Sequence, residues 1–381
     1  MRPNETAARL PASGIREIME MALRRPDAIR LEIGDPDFDT PPHVVEAAAR
    51  AAADGATHYA STVGITPLRA ALAEKVLARN GFAVEPEQVV VTQGATQGIF
   101  TALAALAERG DEVLVPDPAW PNYLMMTRLL GLAAVPYALT ADTGFLPDVD
   151  RLAELVTPRT RVLLLNSPSN PVGTVADRDR VAALAEFARA RDLWLISDEC
   201  YDEIVFDGAC TSPAEFAPER TVSAYSFSKT YAMTGWRIGY LAVPAAVAGV
   251  VAKCQETVVA CVSTPTQHAA LAALTGPQDR VAEMRAAYRS RRDLVVALAE
   301  EGGLKLPTPT GAFYGWVDIG RSHPGAAHEF AVDLLTRHGV AVAPGTAFGP
   351  AGEGYVRLSL AAAEEDLAEG VRRLALAVTG A

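Results

Sequence analysis

Lysine is rare in this chain of 381 residues, which carries 34 basic side chains but only four lysines: Lys75, Lys229, Lys253 and Lys305. Chemistry that needs a primary amine has few places to occur. Cysteine is as rare. Cys200, Cys210, Cys254 and Cys261 lie scattered without CxxC spacing, which argues against a disulfide framework or a metal site and for a reducing compartment. Net positive charge is missing altogether. A formal net charge of -12 speaks against a general nucleic-acid or membrane-surface binder, since such surfaces meet phosphates with clustered Lys and Arg, but it leaves room for a local basic pocket. Each apolar run is broken by charge, Gly or Pro before it could span a bilayer. The opening Met1-Arg2-Pro3-Asn4-Glu5-Thr6 lacks the apolar stretch of a signal peptide, so a cytoplasmic protein is expected, with no membrane and no nucleic-acid partner.

What is present is globular: with 50% of residues hydrophobic and 21% charged, the chain can bury a large core divided between two domains. Between residues 40 and 245 helical stretches (Val44 to Ala53, Leu68 to Arg79, Thr96 to Glu108) alternate with short β-branched runs. These runs are Val89 to Thr92, Glu112 to Val115, Arg161 to Leu165, Leu193 to Ser197 and Arg220 to Tyr225. Runs apolar at nearly every position and separated by helices predict an α/β fold with a mostly parallel central sheet covered by helices on both faces. After Gly276-Pro277 a long charged helix pattern, Asp279 to Glu301, and candidate strands at Gly315 to Asp318 and Tyr355 to Ser359 predict a smaller α+β domain. The expected organisation is an N-terminal segment, 1–40, that joins the small domain, a large domain, 41–276, and a small C-terminal domain, 277–381.

Three of the lysines look ordinary. Lys75 falls in the amphipathic pattern Leu68 to Leu77 and is expected on its solvated side, and Lys253 and Lys305 are lone charges beside apolar stretches. Lys229 instead sits in Ser226-Phe227-Ser228-Lys229-Thr230-Tyr231, with Arg237 close behind, where an amine looks like a reagent. Ligands of an open parallel sheet sit outside the carboxyl ends of its strands, and polar clusters fall there. Gly94-Ala95-Thr96 opens a helix and suits a phosphate, although a tight structural turn has the same composition. Asp198, with Tyr201 beyond it, could hold the proton of a cationic ring nitrogen, or could be a helix cap. Asn170 lies between Pro168 and Pro171 in a rigid loop. Ser226 and Ser228, if extended, project to one face and share a phosphate with Arg237. An amine, a ring-nitrogen partner, a phenol, an amide and a phosphate site together are what pyridoxal 5'-phosphate asks for.

In order and spacing, Asn170-Pro171-Val172-Gly173, Asp198-Glu199-Cys200-Tyr201 and Ser226-Phe227-Ser228-Lys229 followed by Gly235-Trp236-Arg237-Ile238-Gly239 resemble the class I aminotransferases of fold type I, the aspartate and aromatic aminotransferase family. The resemblance runs over nearly the whole chain. It implies that Lys229 is the Schiff-base lysine and proton shuttle, Asp198 the pyridinium partner, and Asn170 with Tyr201 the pair on the phenolic oxygen. Gly94, Ala95, Thr96, Ser226, Ser228 and Arg237 would form the phosphate cup, and Trp120 would stack on the ring. Tyr59 would reach the phosphate of a neighbouring subunit, which implies a homodimer with shared sites. Arg357 would clamp the substrate α-carboxylate, and Gly34 would let the N-terminal strand pass close to the substrate, with Asn122, Tyr123 and Ile15 lining the pocket.

The implied activity moves the amino group of an L-amino acid to a 2-oxo acid in a ping-pong cycle, with no metal. Thr96 stands where some bacterial aspartate enzymes of this subgroup carry lysine, which puts selectivity for acidic substrates in doubt. A lyase, cyclase or oxidase of the same fold is the rival reading. More distant rivals are a cofactor-sensing regulator, which would add a DNA-binding segment where none precedes residue 40, and a Schiff-base aldolase on an α/β barrel.

Overall fold

The computed structural model describes residues 1–11, 13–320 and 325–380. Its strands are β1 (Ile29–Arg30), β2 (Val89–Thr92), β3 (Glu112–Asp117), β4 (Ala133–Ala138), β5 (Thr160–Asn166), β6 (Trp194–Asp198), β7 (Thr221–Ser226), β8 (Gly239–Ala242), β9 (Tyr314–Asp318), β10 (Val340–Ala341), β11 (Ala343–Pro344) and β12 (Tyr355–Ser359). Seven of them form the central sheet in the order β2-β8-β7-β6-β5-β3-β4. The pairs from β4 to β7 are parallel, and β8 runs antiparallel to both β7 and β2. The expected mostly parallel sheet is therefore present.

The pleat explains why these strands are apolar at successive positions. Val162 and Leu164 of β5 pack into one cluster with Ile99, Ala102 and Leu103 of the helix Gly94–Leu106. Leu163 and Leu165 point the other way, into a cluster with Leu184, Ala185 and Ala188 of the helix Arg178–Ala190. Alternate side chains thus feed two helical layers, and each fully buried Leu contributes roughly 1.5–3 kcal/mol. Two strands of this sheet escaped the sequence reading, as did the two-residue strands β1, β10 and β11 outside it. β4 carries Pro136 and is half-exposed, which suits the edge of the sheet, where β4 lies. β8 is a four-residue strand whose Gly239 could not carry a side chain, because a Cβ would stand 2.5 Å from the carbonyl oxygen of Tyr225.

The C-terminal third adds a three-stranded antiparallel sheet, β11-β12-β9. The N-terminal segment reaches it, since β1 lies parallel to β10 and Ile18, Ala22 and Leu31 enter the same core as Phe330, Leu334 and Val371. Among the described residues no helix is long and apolar enough to cross a membrane.

Lys75 departs from the expected solvated position. On the helix Thr66–Asn80 its side chain is only 11% exposed and pairs with Asp202, from a turn far along the chain. A helical pattern shows which residues share a face but not that a distant acid will cover it.

Candidate active site

Adjacent parallel strands deliver the first functional groups. The register of β5 and β6 sets Asn166 beside Asp198, and β7, next in the sheet, ends at Ser226. These carboxyl ends open into a cleft of about 600 Å³. Of the residues named from the sequence, Gly34, Ala95, Thr96, Trp120, Asn170, Asp198, Tyr201, Ser226, Ser228, Lys229, Arg237 and Arg357 line it, as do Ile15, Asn122 and Tyr123. Gly94 lies just outside, at a φ of +76°, where an added Cβ would stand 3.0 Å from Nη2 of Arg237. Tyr59 is not brought to this cleft. It is 91% exposed and sits with His58 and Thr264 in a separate groove.

The Lys229 amine donates to the carbonyl of Gly34 at 2.7 Å. Burial holds its pKa below that of an ordinary lysine; the cations Arg357 and Arg237 push the same way, and Cys200 and Asp35 oppose them. Asp198 is 5% exposed, and burial pushes its carboxyl up to about 6 despite two donors. These donors are the Tyr123 hydroxyl at 2.5 Å and the backbone N–H of Cys200 at 3.1 Å. The group remains mostly anionic at neutral pH, and a cationic partner in the cleft would lower its pKa.

Arg357 lies on β12, the middle strand of its sheet, so its side chain is buried and not an exposed edge charge. Its Nη1 donates to Asn170 Oδ1 at 2.9 Å and its Nη2 to the Glu32 carbonyl at 2.6 Å, while the guanidinium lies 4.3 Å from the Tyr314 ring centroid. Its Nε is buried without a partner. A buried guanidinium with an unused donor calls for an anion, and a carboxylate matches its planar fork.

Across the cleft, the helix Gly94–Leu106 presents unpaired N–H groups in its first turn, beside Ser226, Ser228 and Arg237. The sequence reading brought Ser226 and Ser228 to one face if the run were extended. Instead β7 ends at Ser226, whose hydroxyl caps the short helix Phe227–Thr230 by accepting from the Ser228 N–H at 3.1 Å. The serines still reach one cleft because the chain turns between them. Amides at a helix start, two hydroxyls and a guanidinium make a chemically suitable phosphate cup.

Two tyrosines carry more than the sequence suggested. Tyr123, read only as a pocket residue, holds Asp198; its spacing from Trp120 is the signal, because both rings then pack edge to face, 5.3 Å apart, at the start of one helix. Tyr314 was missed. Its hydroxyl lies 2.8 Å from that of Tyr201, and a Cβ on Gly34 would fall 2.0 Å from it. The small residue at position 34 is thus required by Tyr314 itself. The cleft mouth adds Ser13, Arg16, Met19 and Ile33, which no motif marked.

The sequence matches the family described as aminotransferase class I and II over residues 26–374. The chain belongs to this family. Among its relatives, a probable aspartate/prephenate aminotransferase of Thermus aquaticus is 42% identical over 364 residues, 94% of each chain. An arginine-pyruvate transaminase of Pseudomonas aeruginosa is 42% identical over 357 residues, 92% of this chain and 90% of its own. Among solved structures, an aspartate aminotransferase single mutant from Thermus thermophilus superposes with a TM-score of 0.94 at 40% identity, covering 99% of this chain and 100% of that one. The family uses pyridoxal phosphate, and the aminotransferase described here is a transferase of amino groups with the type I fold. The relatives favour transamination over elimination or oxidation, and the open seven-stranded sheet rules out a barrel aldolase.

Proposed function

We propose that this aminotransferase holds pyridoxal 5'-phosphate in the cleft, joined to Lys229, and passes the amino group of an L-amino acid to a 2-oxo acid in two half-reactions. The observation that carries the reading is the convergence on one cleft of a low-pKa amine, a buried carboxylate and a buried arginine with a spare donor. The donor set fits the cofactor. Asp198 would pair with the ring nitrogen, Asn170 and Tyr201 with the phenolic oxygen, and the helix start with Ser226, Ser228 and Arg237 with the phosphate. Trp120 would cover the ring. When bound, the cofactor supplies the carbonyl that takes up the amino group and a ring that accepts electrons as the substrate α-proton leaves.

The protein's own part follows from its charges. Arg357 binds the α-carboxylate two-pronged and so fixes which bond at the α-carbon faces Lys229. With the cofactor bound, the Lys229 amine would serve as the base that takes and returns the substrate α-proton at Nζ, a task favoured by the lowered pKa. Asp198 would hold the proton of the ring nitrogen. The first keto acid leaves before the second enters, which gives ping-pong kinetics.

At the mouth, Ile15, Met19 and Ile33 offer apolar contact and Arg16 an exposed cation, so several side-chain types fit this cleft. Tyr59, exposed in the single chain, supports a homodimer in which each subunit completes its neighbour's phosphate site. The 1–40 and 277–381 segments, which share a core, act as one smaller domain beside the 41–276 domain. The test is a half-reaction screen. Protein loaded with pyridoxal phosphate is mixed with single amino acids without a keto acid, and the visible band is followed. Loss of the band with release of the matching keto acid is expected; pyruvate with ammonia, in place of that keto acid, would replace transamination by elimination.

A further inference from the structure

Asp198 and Tyr201 belong to a segment with little regular structure of its own. β6 ends at Asp198, and residues 200–203 form a turn. Backbone hydrogen bonds hold part of it: the Glu199 N–H donates to the Ala224 carbonyl at 2.9 Å, the Asp202 N–H to the Glu199 carbonyl at 3.1 Å, the Ile204 N–H to the Tyr201 carbonyl at 2.8 Å and the Ser167 N–H to the Asp198 carbonyl at 3.3 Å. Side chains supply the rest of the anchoring: from the cleft, Tyr123 on Asp198, Tyr314 on Tyr201 and Asn166 Nδ2 on the Asp198 carbonyl at 3.1 Å, and from the far side of the turn a second group that does not line the cleft.

Lys75 is the centre of that second group. Its amine pairs with Asp202, donates to Asn80 Oδ1 at 2.9 Å, approaches Glu203 at 4.0 Å and lies 4.7 Å over the ring of Tyr225. Asn80 closes the triangle by donating to the same Asp202 oxygen at 3.0 Å. Lys75, Asp202 and Glu203 have side chains 11%, 5% and 16% exposed. A buried ion pair contributes little net stability, since desolvation offsets the attraction, while removing one partner strands a buried charge. What such a pair does supply is a fixed geometry, and here it lies one residue from Tyr201 and, through Tyr225, one residue from Ser226.

We propose that Lys75 is a positioning residue for the reaction: through Asp202 it clamps the turn that carries Tyr201 and follows directly on Asp198, and through Tyr225 it backs the strand end that carries Ser226. Lys75 touches none of the reacting groups. The proposal rests on the cofactor reading above, because Asp198 and Tyr201 are the ring contacts in that reading.

The experiment compares the parent protein with Lys75→Met, Lys75→Arg and the nearly isosteric Asp202→Asn. Three properties are measured: pyridoxal phosphate affinity by titration of the cofactor-free protein, the pH at which the visible band of the loaded protein changes, and kcat and KM. Displacement of Tyr201 and Asp198 weakens their pull on ring electrons, so the band transition should move to higher pH, by about half a unit or more. kcat should fall about 10- to 100-fold, as when a reacting group is misplaced by an ångström, with KM for the amino acid nearly unchanged because Arg357 is untouched. Lys75→Arg should recover most of both. If Lys75→Met does not fold, Asp202→Asn gives the same readings. A loaded variant with the parental band transition and kcat, and only a lower melting temperature, would overturn the proposal. A parent protein that gains no visible band with pyridoxal phosphate would instead overturn the cofactor reading.

Discussion

Replacing Tyr123 with Phe removes one oxygen and tests how Asp198 is held. The hydroxyl donates to Asp198 Oδ2 at 2.5 Å in a fully buried setting, leaving the Cys200 N–H at 3.1 Å as the other donor. A hydrogen bond to a charged group contributes about 1.5–3 kcal/mol, and about 1.4 kcal/mol corresponds to one pH unit, so the Asp198 pKa should climb from about 6 by roughly one to two units. The sign can be read from stability. Because the folded pKa lies above the unfolded value, burial of Asp198 costs the parent stability as pH rises from about 4 to about 6 and no more beyond that. In Tyr123→Phe the decline should continue to about pH 7 or 8. The assay is chemical denaturation of both cofactor-free proteins between pH 4 and 9, taken as a difference. In the loaded enzyme the ring proton should shift toward the less stabilised carboxylate, and kcat should drop about tenfold or more, the factor that 1.4 kcal/mol represents. Stability curves that stay parallel across this range, with kcat unchanged, would refute the assignment of Tyr123 as the group that keeps Asp198 ionised.

Three further substitutions probe the rest of the cleft. Lys229→Ala should abolish the covalent visible band and turnover while leaving the fold intact; a purified variant transaminating at the parental rate would contradict the role of Lys229. Arg357→Lys should raise KM for the amino acid about tenfold or more, since an ammonium cannot reproduce the two-pronged pairing, and steady-state kinetics read this directly. Gly34→Ala should lower the melting temperature and kcat together, because its Cβ would meet the Tyr314 hydroxyl at 2.0 Å; overpacking of this kind costs about 1–3 kcal/mol. A variant as stable as the parent would show that Tyr314 can move without consequence.

The large central sheet was legible because a strand buried on both faces is apolar at successive positions, as in Val162 to Leu165, and its runs are rich in β-branched residues and separated by helical patterns. Where local chemistry departed from the rule the reading failed: the edge strand with Pro136 and the short strand at Gly239 have patterns that fit a loop equally well. The cleft was legible for a different reason. Its groups follow directly on strand ends, so sheet topology assembles residues that lie far apart in sequence, and Asn170, Asp198 and Lys229 meet without any motif being contiguous. Tyr314 could not be found this way. It lies within a strand of the second sheet, and its contact with Tyr201 depends on how the two sheets are packed.

The two buried lysines show what limits such reading. Burial by itself lowers the pKa of both. At Lys75, Asp202, Tyr240 and Glu203 more than offset this, so the amine is held above its ordinary pKa and stays a fixed cation. At Lys229 no acid side chain among the described residues forms an ion pair with it, the Gly34 carbonyl takes its hydrogen bond, and two arginines add to the effect of burial, so the amine can shed its proton. Flanking sequence set Lys229 apart from Lys75 but placed Lys75 in water. The hydroxyl-rich context of Lys229 is local, whereas the acids that claim Lys75 arrive from 127 residues away. Exchanging the neighbours, and not the lysines, would therefore exchange their chemistry: an acid placed beside Lys229 should raise its pKa and move the onset of activity to higher pH.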